Sequence, residues 1–175
     1  LLPILRSVSD QWLAAKQQKE KGFSLGAFDP DYLSRCDCAI VRMDGRIIAF
    51  ANLWTTGPKA ELSVDLMRHR DDAPNGTMDY LFIQLMLWGK AQGYGGFSLG
   101  IAPLSGIDGR RLAPRWSRVA ALMFRYGDRF YGFRGLRSFK DKFNPDWQPR
   151  YIAAQMGIGF GQAMIDLQKL ISTRP

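Results

Sequence analysis

Histidine is nearly missing from this sequence of 175 residues: His69 is the single copy, and Cys36 and Cys38 are the only cysteines. Two thiols with a single residue between them and one imidazole cannot complete a tetrahedral zinc site. A disulfide framework is excluded on the same count, which fits a reducing compartment. Long apolar runs are also missing. Tyr80 to Gly89 is the most apolar stretch, far short of the roughly 20 residues that span a bilayer, and Tyr151 to Ile165 is interrupted by three glycines and two glutamines. There is no GxxxxGK[ST] and no dinucleotide fingerprint, so the common phosphate-loop chemistries have no anchor here. The chain opens Leu1-Leu2-Pro3 without an initiator methionine or signal-peptide pattern and reads as a piece of something longer.

What is present is ample apolar and basic material. Hydrophobic residues make up 46% of the chain and aromatics 13%. At this length roughly 70% of the unfolded surface can be buried without a metal or disulfide staple. Basic residues outnumber acidic ones 24 to 16. Between Gly106 and Arg150 eleven basic residues face four acids, so that quarter of the chain carries +7 of the net +8. Such a concentration points to a polyanion (nucleic acid, acidic lipid or a phosphorylated substrate) or to a solvated basic face.

The patterning predicts a helix from Asp10 to Lys21 capped by Ser9, and a short helix start at Asp29-Pro30 with proline at the first helical position. CAIVRM and RIIAFANLW are β-rich runs joined by Asp44-Gly45, a two-residue hairpin signature. A third strand, AELSVDLM, extends the meander. TMDYLFIQLMLWGKAQG is a helix apolar on nearly all sides, hence expected to be buried against the sheet. GFSLGIAPL follows as a strand, then a helix from Pro114 to Tyr126, a short basic helix from Leu136 to Phe143, the extended WQPRYIAA and a terminal helix. The class is α+β, or mixed α/β, with a mainly antiparallel sheet flanked by helices.

Three groups of residues bear on chemistry. Arg115, Arg118, Arg125 and Arg129 fall on one arc of a helix, able to hold phosphates or to face solvent. Asp65 and Arg68 lie where the third strand runs into its loop. A carboxylate there can orient an amine or accept a proton, and an arginine can fork onto phosphate or carboxylate; a structural ion pair is the alternative. A bend could turn both toward one cavity. Arg137 and Lys140, three apart on the short basic helix, form the third group. His69 is read as a packing or surface residue in preference to a general base.

Over about three-quarters of the chain, the segments FSLGAFDPDYL, GRIIAFANLW, ELSVDLMRHRDDAPNGTMDYLFIQLMLWGKAQGY, FSLGIAPLSG and RFYGFRGLRSFKDKFNPDWQPRYIA resemble the C-terminal catalytic region of the bacterial phosphatidylglycerol lysyltransferase and alanyltransferase family. The resemblance implies a GNAT-like acyltransferase fold. It makes residues 1–175 one such domain, the second of two tandem units behind a multi-pass membrane part at the cytoplasmic face of the inner membrane. The implied reaction moves lysine or alanine from aminoacyl-tRNA to phosphatidylglycerol on an anionic membrane surface, with no cofactor and no metal. On this resemblance Asp65 holds the aminoacyl ammonium, Arg68 contacts the tRNA 3′ end or the lipid phosphate, and Lys140 steadies charge at the reacting ester. Tyr32 shapes the pocket, while Arg115, Arg118, Arg125 and Arg137 meet substrate phosphates. The sequence departs from CoA-using GNAT enzymes where RHRDDAPNG replaces their glycine-rich pyrophosphate loop, its two aspartates opposing an anion. A CoA-dependent N-acyltransferase and a non-catalytic binding module for nucleic acid or anionic membrane are the competing functions.

Overall fold

The computed structural model describes residues 1–16, 26–102, 105, 133–151 and 166. The chain divides into two units, Leu1–Ser98 with Ile152–Pro175, and Leu99–Tyr151.

The first unit is built on a four-stranded sheet in the order β1 (Cys38–Met43), β2 (Arg46–Thr55), β3 (Leu62–His69), β4 (Phe97–Ser98). The first three strands are antiparallel neighbours and β4 pairs parallel with β3. Asp44 and Gly45 turn β1 into β2 with φ of 50° and 77°. Two successive positive φ values are what a tight hairpin with the native strand twist needs, and Asp-Gly supplies them. β2 is buried continuously from Ile47 to Leu53, because both faces of the sheet are covered.

Helix α3 (Thr77–Ala91) covers one face, where Leu81 and Leu85 join Val41, Ile48, Ala49, Ala51, Leu53 and Leu62. Helix α1 (Leu2–Ala15) and the one-turn α2 (Pro30–Leu33) are on the other side, where Leu5, Val8 and Leu33 pack with Phe28, Ile47, Phe50 and Leu66. Asp29 caps α2, its carboxylate accepting from Asp31 and Tyr32 N–H at 2.8 and 3.0 Å, with Pro30 in the first turn as expected. The expected mixed, mainly antiparallel sheet flanked by helices is thus observed.

Several boundaries differ from expectation. The first helix starts at Leu2 rather than Asp10: Pro3 lacks the N–H that an opening turn leaves unbonded anyway, and Ser9 is a fully buried mid-helix residue instead of a cap. Helix α3 is not buried all round; Tyr80, Ile83, Leu87 and Trp88 are exposed on its outer side, since one sheet can cover only one side of a helix. The strand expected over GFSLGIAPL is regular for Phe97 and Ser98 alone. The short basic helix, α4, spans Phe133–Asp141, and Trp147 to Tyr151 form no regular element. The helix expected at 114–126 lies outside the described residues, as do Arg115, Arg118 and Arg125, and of the expected C-terminal helix Asp166 alone is described, in helical conformation.

Candidate functional site

Asp65 does not stand at the end of its strand. It is the fourth of eight residues in β3, and the strand is irregular there. Ala51 pairs with Met67 and Leu53 with Val64, so Asp65 and Leu66 together oppose the single residue Asn52. This is a β-bulge, and it changes which side chains share a face. In a regular strand, residues three apart point to opposite faces. Here Val64 and Met67 pack toward α3 while Leu66 packs toward α1. Asp65 reaches Tyr32 and Arg68 reaches Trp12, both on the α1 side.

The bulge is tied from three directions. The Leu66 N–H donates to Asn52 Oδ1 at 2.7 Å. Tyr32 Oη donates to Asp65 Oδ2 at 2.8 Å, and the same phenol oxygen accepts from Asn52 Nδ2 at 2.9 Å and Trp54 Nε1 at 2.6 Å. Partial burial and the bond to Asp65 push the Tyr32 phenol up to about 12. From the side, Gly26 lies so close that a Cβ would meet Asp65 Oδ2 at 2.6 Å and Leu66 N at 2.8 Å. Only glycine gives the backbone that approach.

Arg68 lies with its guanidinium carbon 4.2 Å from the centroid of the Trp12 ring, and its Nη1 donates to Met67 O at 3.0 Å. The indole face holds the planar cation in one orientation. His69 is half-buried with Nδ1 2.7 Å from Arg70 O, a packing role. An open cleft of about 450 Å³ lies beside Trp54, between Arg35, Asp37, Thr56, Glu61 and Ser63, and neither Asp65 nor Arg68 lines it. We weigh the hydrogen-bonded carboxylate above this concavity, because chemistry follows from positioned groups rather than empty space.

In the second unit Lys140 is buried, 6% exposed, and Nζ donates to Ile101 O at 2.8 Å. Burial pulls the ammonium down to about 8. Arg137 is engaged locally. Its Nε meets both Asp141 oxygens at 3.0 Å, Nη1 donates to Ser105 Oγ at 2.7 Å, and its guanidinium carbon lies 3.6 Å from the Trp147 ring centroid. The Arg137 bond in turn lowers the Asp141 carboxyl. Among the described residues no group of three His, Cys, Asp or Glu side chains could hold a metal, and no helix is long and apolar enough to cross a membrane.

Asn52 and Trp54 were not among the residues singled out from sequence. A signal for the first existed: an amide in the middle of an otherwise apolar strand must find partners when buried.

A family model described as phosphatidylglycerol lysyltransferase, C-terminal, matches residues 1–154. The chain belongs to this family. Among curated proteins of the phosphatidylglycerol lysyltransferase name, one from Bacillus subtilis (strain 168) is 44% identical over 169 residues, covering 95% of this chain and 19% of that protein. One from Staphylococcus haemolyticus (strain JCSC1435) is 34% identical over 168 residues, covering 95% of the chain and 20% of its relative. The chain therefore spans about a fifth of the length of these lysyltransferases. Among solved structures, the C-terminal DUF2156 domain assigned to a lysylphosphatidylglycerol synthetase of Agrobacterium fabrum matches with a TM-score of 0.81 and 46% identity, covering 98% of this chain and 50% of that one. L-PGS from Bacillus licheniformis matches with a TM-score of 0.79 and 42% identity over 99% of this chain and 51% of that one. The family match spans the bulged strand and the Tyr32 segment alike.

Proposed function

We propose that this chain is the transferring unit of a phosphatidylglycerol aminoacyltransferase that draws on aminoacyl-tRNA. The observation that carries this reading is that 95% of the chain matches proteins named phosphatidylglycerol lysyltransferase, and that name makes lysine the first amino acid to test and alanine the second. The reaction is ester exchange. A glycerol hydroxyl oxygen of the lipid attacks the aminoacyl carbonyl, the bond from that carbonyl to the ribose oxygen breaks, and the hydroxyl proton ends on the ribose. One ester replaces another, so no further energy source is needed. The product carries a free amine on an anionic lipid, which lowers the negative surface potential and the attraction of cationic peptides.

The Asp65 carboxylate receives the aminoacyl ammonium, an assignment supported by its fixed position beside Tyr32. Arg68, oriented on Trp12, forks onto a phosphate of the tRNA end or the lipid. On the family resemblance, Lys140 is the residue assigned to supply positive charge to the oxyanion that forms as the ester is attacked. Arg115, Arg118 and Arg125 contribute the polyanion surface, toward tRNA or an anionic bilayer. In this reading the chain is the second of two tandem units of a longer membrane-anchored protein, working at the cytoplasmic face, where charged tRNA is made. The half-length coverage of the Agrobacterium fabrum domain supports the pairing.

The test is lipid extraction and mass spectrometry after expressing the longer protein in cells that make phosphatidylglycerol but no aminoacylated form. Aminoacyl-phosphatidylglycerol is expected. Asp65→Asn and Arg68→Ala should each reduce its formation about a hundredfold, the equivalent of roughly 3 kcal/mol in the transition state. No aminoacylated lipid from the wild type refutes the function, and full activity in Asp65→Asn removes that residue from the site. Micromolar acetyl-CoA binding to the chain would favour an N-acyltransferase instead.

A further inference from the structure

Asn52 is completely buried on β2, opposite the two bulged residues of β3. One of its bonds has only one possible polarity. A backbone N–H can donate and nothing else, so the 2.7 Å contact from Leu66 N identifies the accepting atom of the carboxamide as oxygen. The amide orientation is thereby fixed by chemistry rather than by choice. Its nitrogen then faces Tyr32 Oη at 2.9 Å and must donate to it. Trp54 Nε1, a donor only, meets the same oxygen at 2.6 Å. With two N–H groups directed at it, the phenol oxygen has a single direction left for its own hydrogen, toward Asp65 Oδ2 at 2.8 Å. The bonds therefore run one way, from the Leu66 amide through Asn52 and Tyr32 to Asp65.

We infer that Asn52 is a positioning residue that acts through Tyr32 to hold Asp65 as an accepting carboxylate, with Oδ2 occupied and Oδ1 turned to a cationic amine. The amine is the aminoacyl ammonium only on the reading proposed above; the order of the hydrogen bonds rests on the distances alone. A proton on Oδ2 would oppose the Tyr32 hydrogen, so this arrangement keeps Oδ2 an acceptor. Charge-assisted bonds of the Tyr32–Asp65 kind polarise along a chain. The effect of Asn52 is therefore felt at a carboxylate it does not touch.

Three substitutions separate this role from simple support of the bulge. Tyr32→Phe removes the phenol and leaves the Asn52–Leu66 bond intact. Asn52→Asp keeps shape and an acceptor for Leu66 N–H, and only its acid form can still donate to Tyr32. The groups facing that introduced carboxyl are Tyr32 from α2, Asp65 from β3 and Cys38 across the β1–β2 ladder. Asp65→Asn removes the end of the chain.

Two measurements on the protein read them. Binding of lysine methyl ester, the probe for a cationic aminoacyl group, is followed by calorimetry from about pH 5.5 to 8, each variant as a ratio to the wild type at the same pH because the α-amine of the probe loses its proton toward the upper end. Ionisation of Tyr32 is followed by NMR of ring-labelled tyrosine, assigned with the Tyr32→Phe variant. Tyr32→Phe should weaken ester binding roughly tenfold, as loss of one bond to a charged group does. Relative to the wild type at the same pH, Asn52→Asp should bind progressively less tightly as pH rises. Asp65→Asn should bring the Tyr32 titration down from about 12, because its negative partner is gone.

Ester binding lost in Asp65→Asn but unchanged in both Tyr32→Phe and Asn52→Asp overturns the positioning role. A Tyr32 titration that ignores Asp65→Asn overturns the hydrogen-bond order. If that titration moves as expected while no variant alters ester binding, the bond order is supported and the placement of an amine at Asp65 is overturned.

Discussion

Replacing Gly26 by alanine adds one methyl group at the tightest point around Asp65. The new Cβ would lie 2.6 Å from Asp65 Oδ2, 2.8 Å from Leu66 Cβ and 2.8 Å from Leu66 N. Two of these three atoms are held by the backbone of β3, and the third is the oxygen that accepts from Tyr32. No flexible side-chain end is available to yield, so the strand, the carboxylate or the 26–29 segment must move. Overpacking of this kind costs about 1–3 kcal/mol. For a protein of this size each kcal/mol lowers the melting temperature by roughly 2–4 °C, so a cost near the middle of that range means a fall of about 4–8 °C. Gly57 is the matched control: a Cβ there meets nothing within 4 Å. Gly57→Ala should be neutral or slightly stabilising through the unfolded chain. Thermal unfolding of the two variants beside the wild type decides the matter, and ester binding by Gly26→Ala should weaken in parallel as Oδ2 is displaced. If Gly26→Ala and Gly57→Ala melt within about 1 °C of each other, the close approach at Asp65 is not what holds the bulge.

Two further expectations concern charge. Lys140 titrates near 8 against an ordinary 10.5, so between those values the unfolded chain holds the extra proton and stability rises with pH. That rise should vanish in Lys140→Met; urea midpoints at several pH values check it, and equal slopes in the two proteins refute it. Cys38 and Tyr32, whose values are raised, act in the opposite sense in both proteins and cancel in the difference. Reversing Arg115, Arg118 and Arg125 to glutamate should weaken binding to phosphatidylglycerol vesicles and to tRNA, each basic residue near such a surface contributing about 1 kcal/mol with strong salt dependence. Unchanged binding to both would make that stretch a solvated face.

The elements most legible in the sequence were those with local determinants. Asp44-Gly45 fixed a hairpin whose strands begin where expected, at Cys38 and Arg46, because the turn needs nothing beyond its two residues. Asp29-Pro30 announced α2 for the same reason. Ser9 misled because capping propensity competes with burial, and in α1 burial wins. The run from Thr77 looked buried all round because composition records how apolar a helix is and not how many neighbours it has. Asp65 and Arg68 were recognisable as a pair, yet their common face depends on pairing with β2, which no reading of one strand contains. Asn52 was overlooked because its role is set by Leu66 and Tyr32, 14 and 20 residues away in sequence.

The bulge in β3 also governs how that strand responds to changes in length rather than composition. Every residue after Leu66 is one step out of phase with a count begun at Leu62. Substitutions leave that phase untouched, whereas an inserted or deleted residue acts on all positions beyond it at once. Deleting Leu66 itself is the change the sheet can absorb: alternation becomes regular, Asp65 and Arg68 keep a common face at a two-residue spacing, and Asn52 loses the N–H it accepts from. A deletion upstream offers no such compensation, and carries the carboxylate to the α3 side of the sheet with the hairpin register intact.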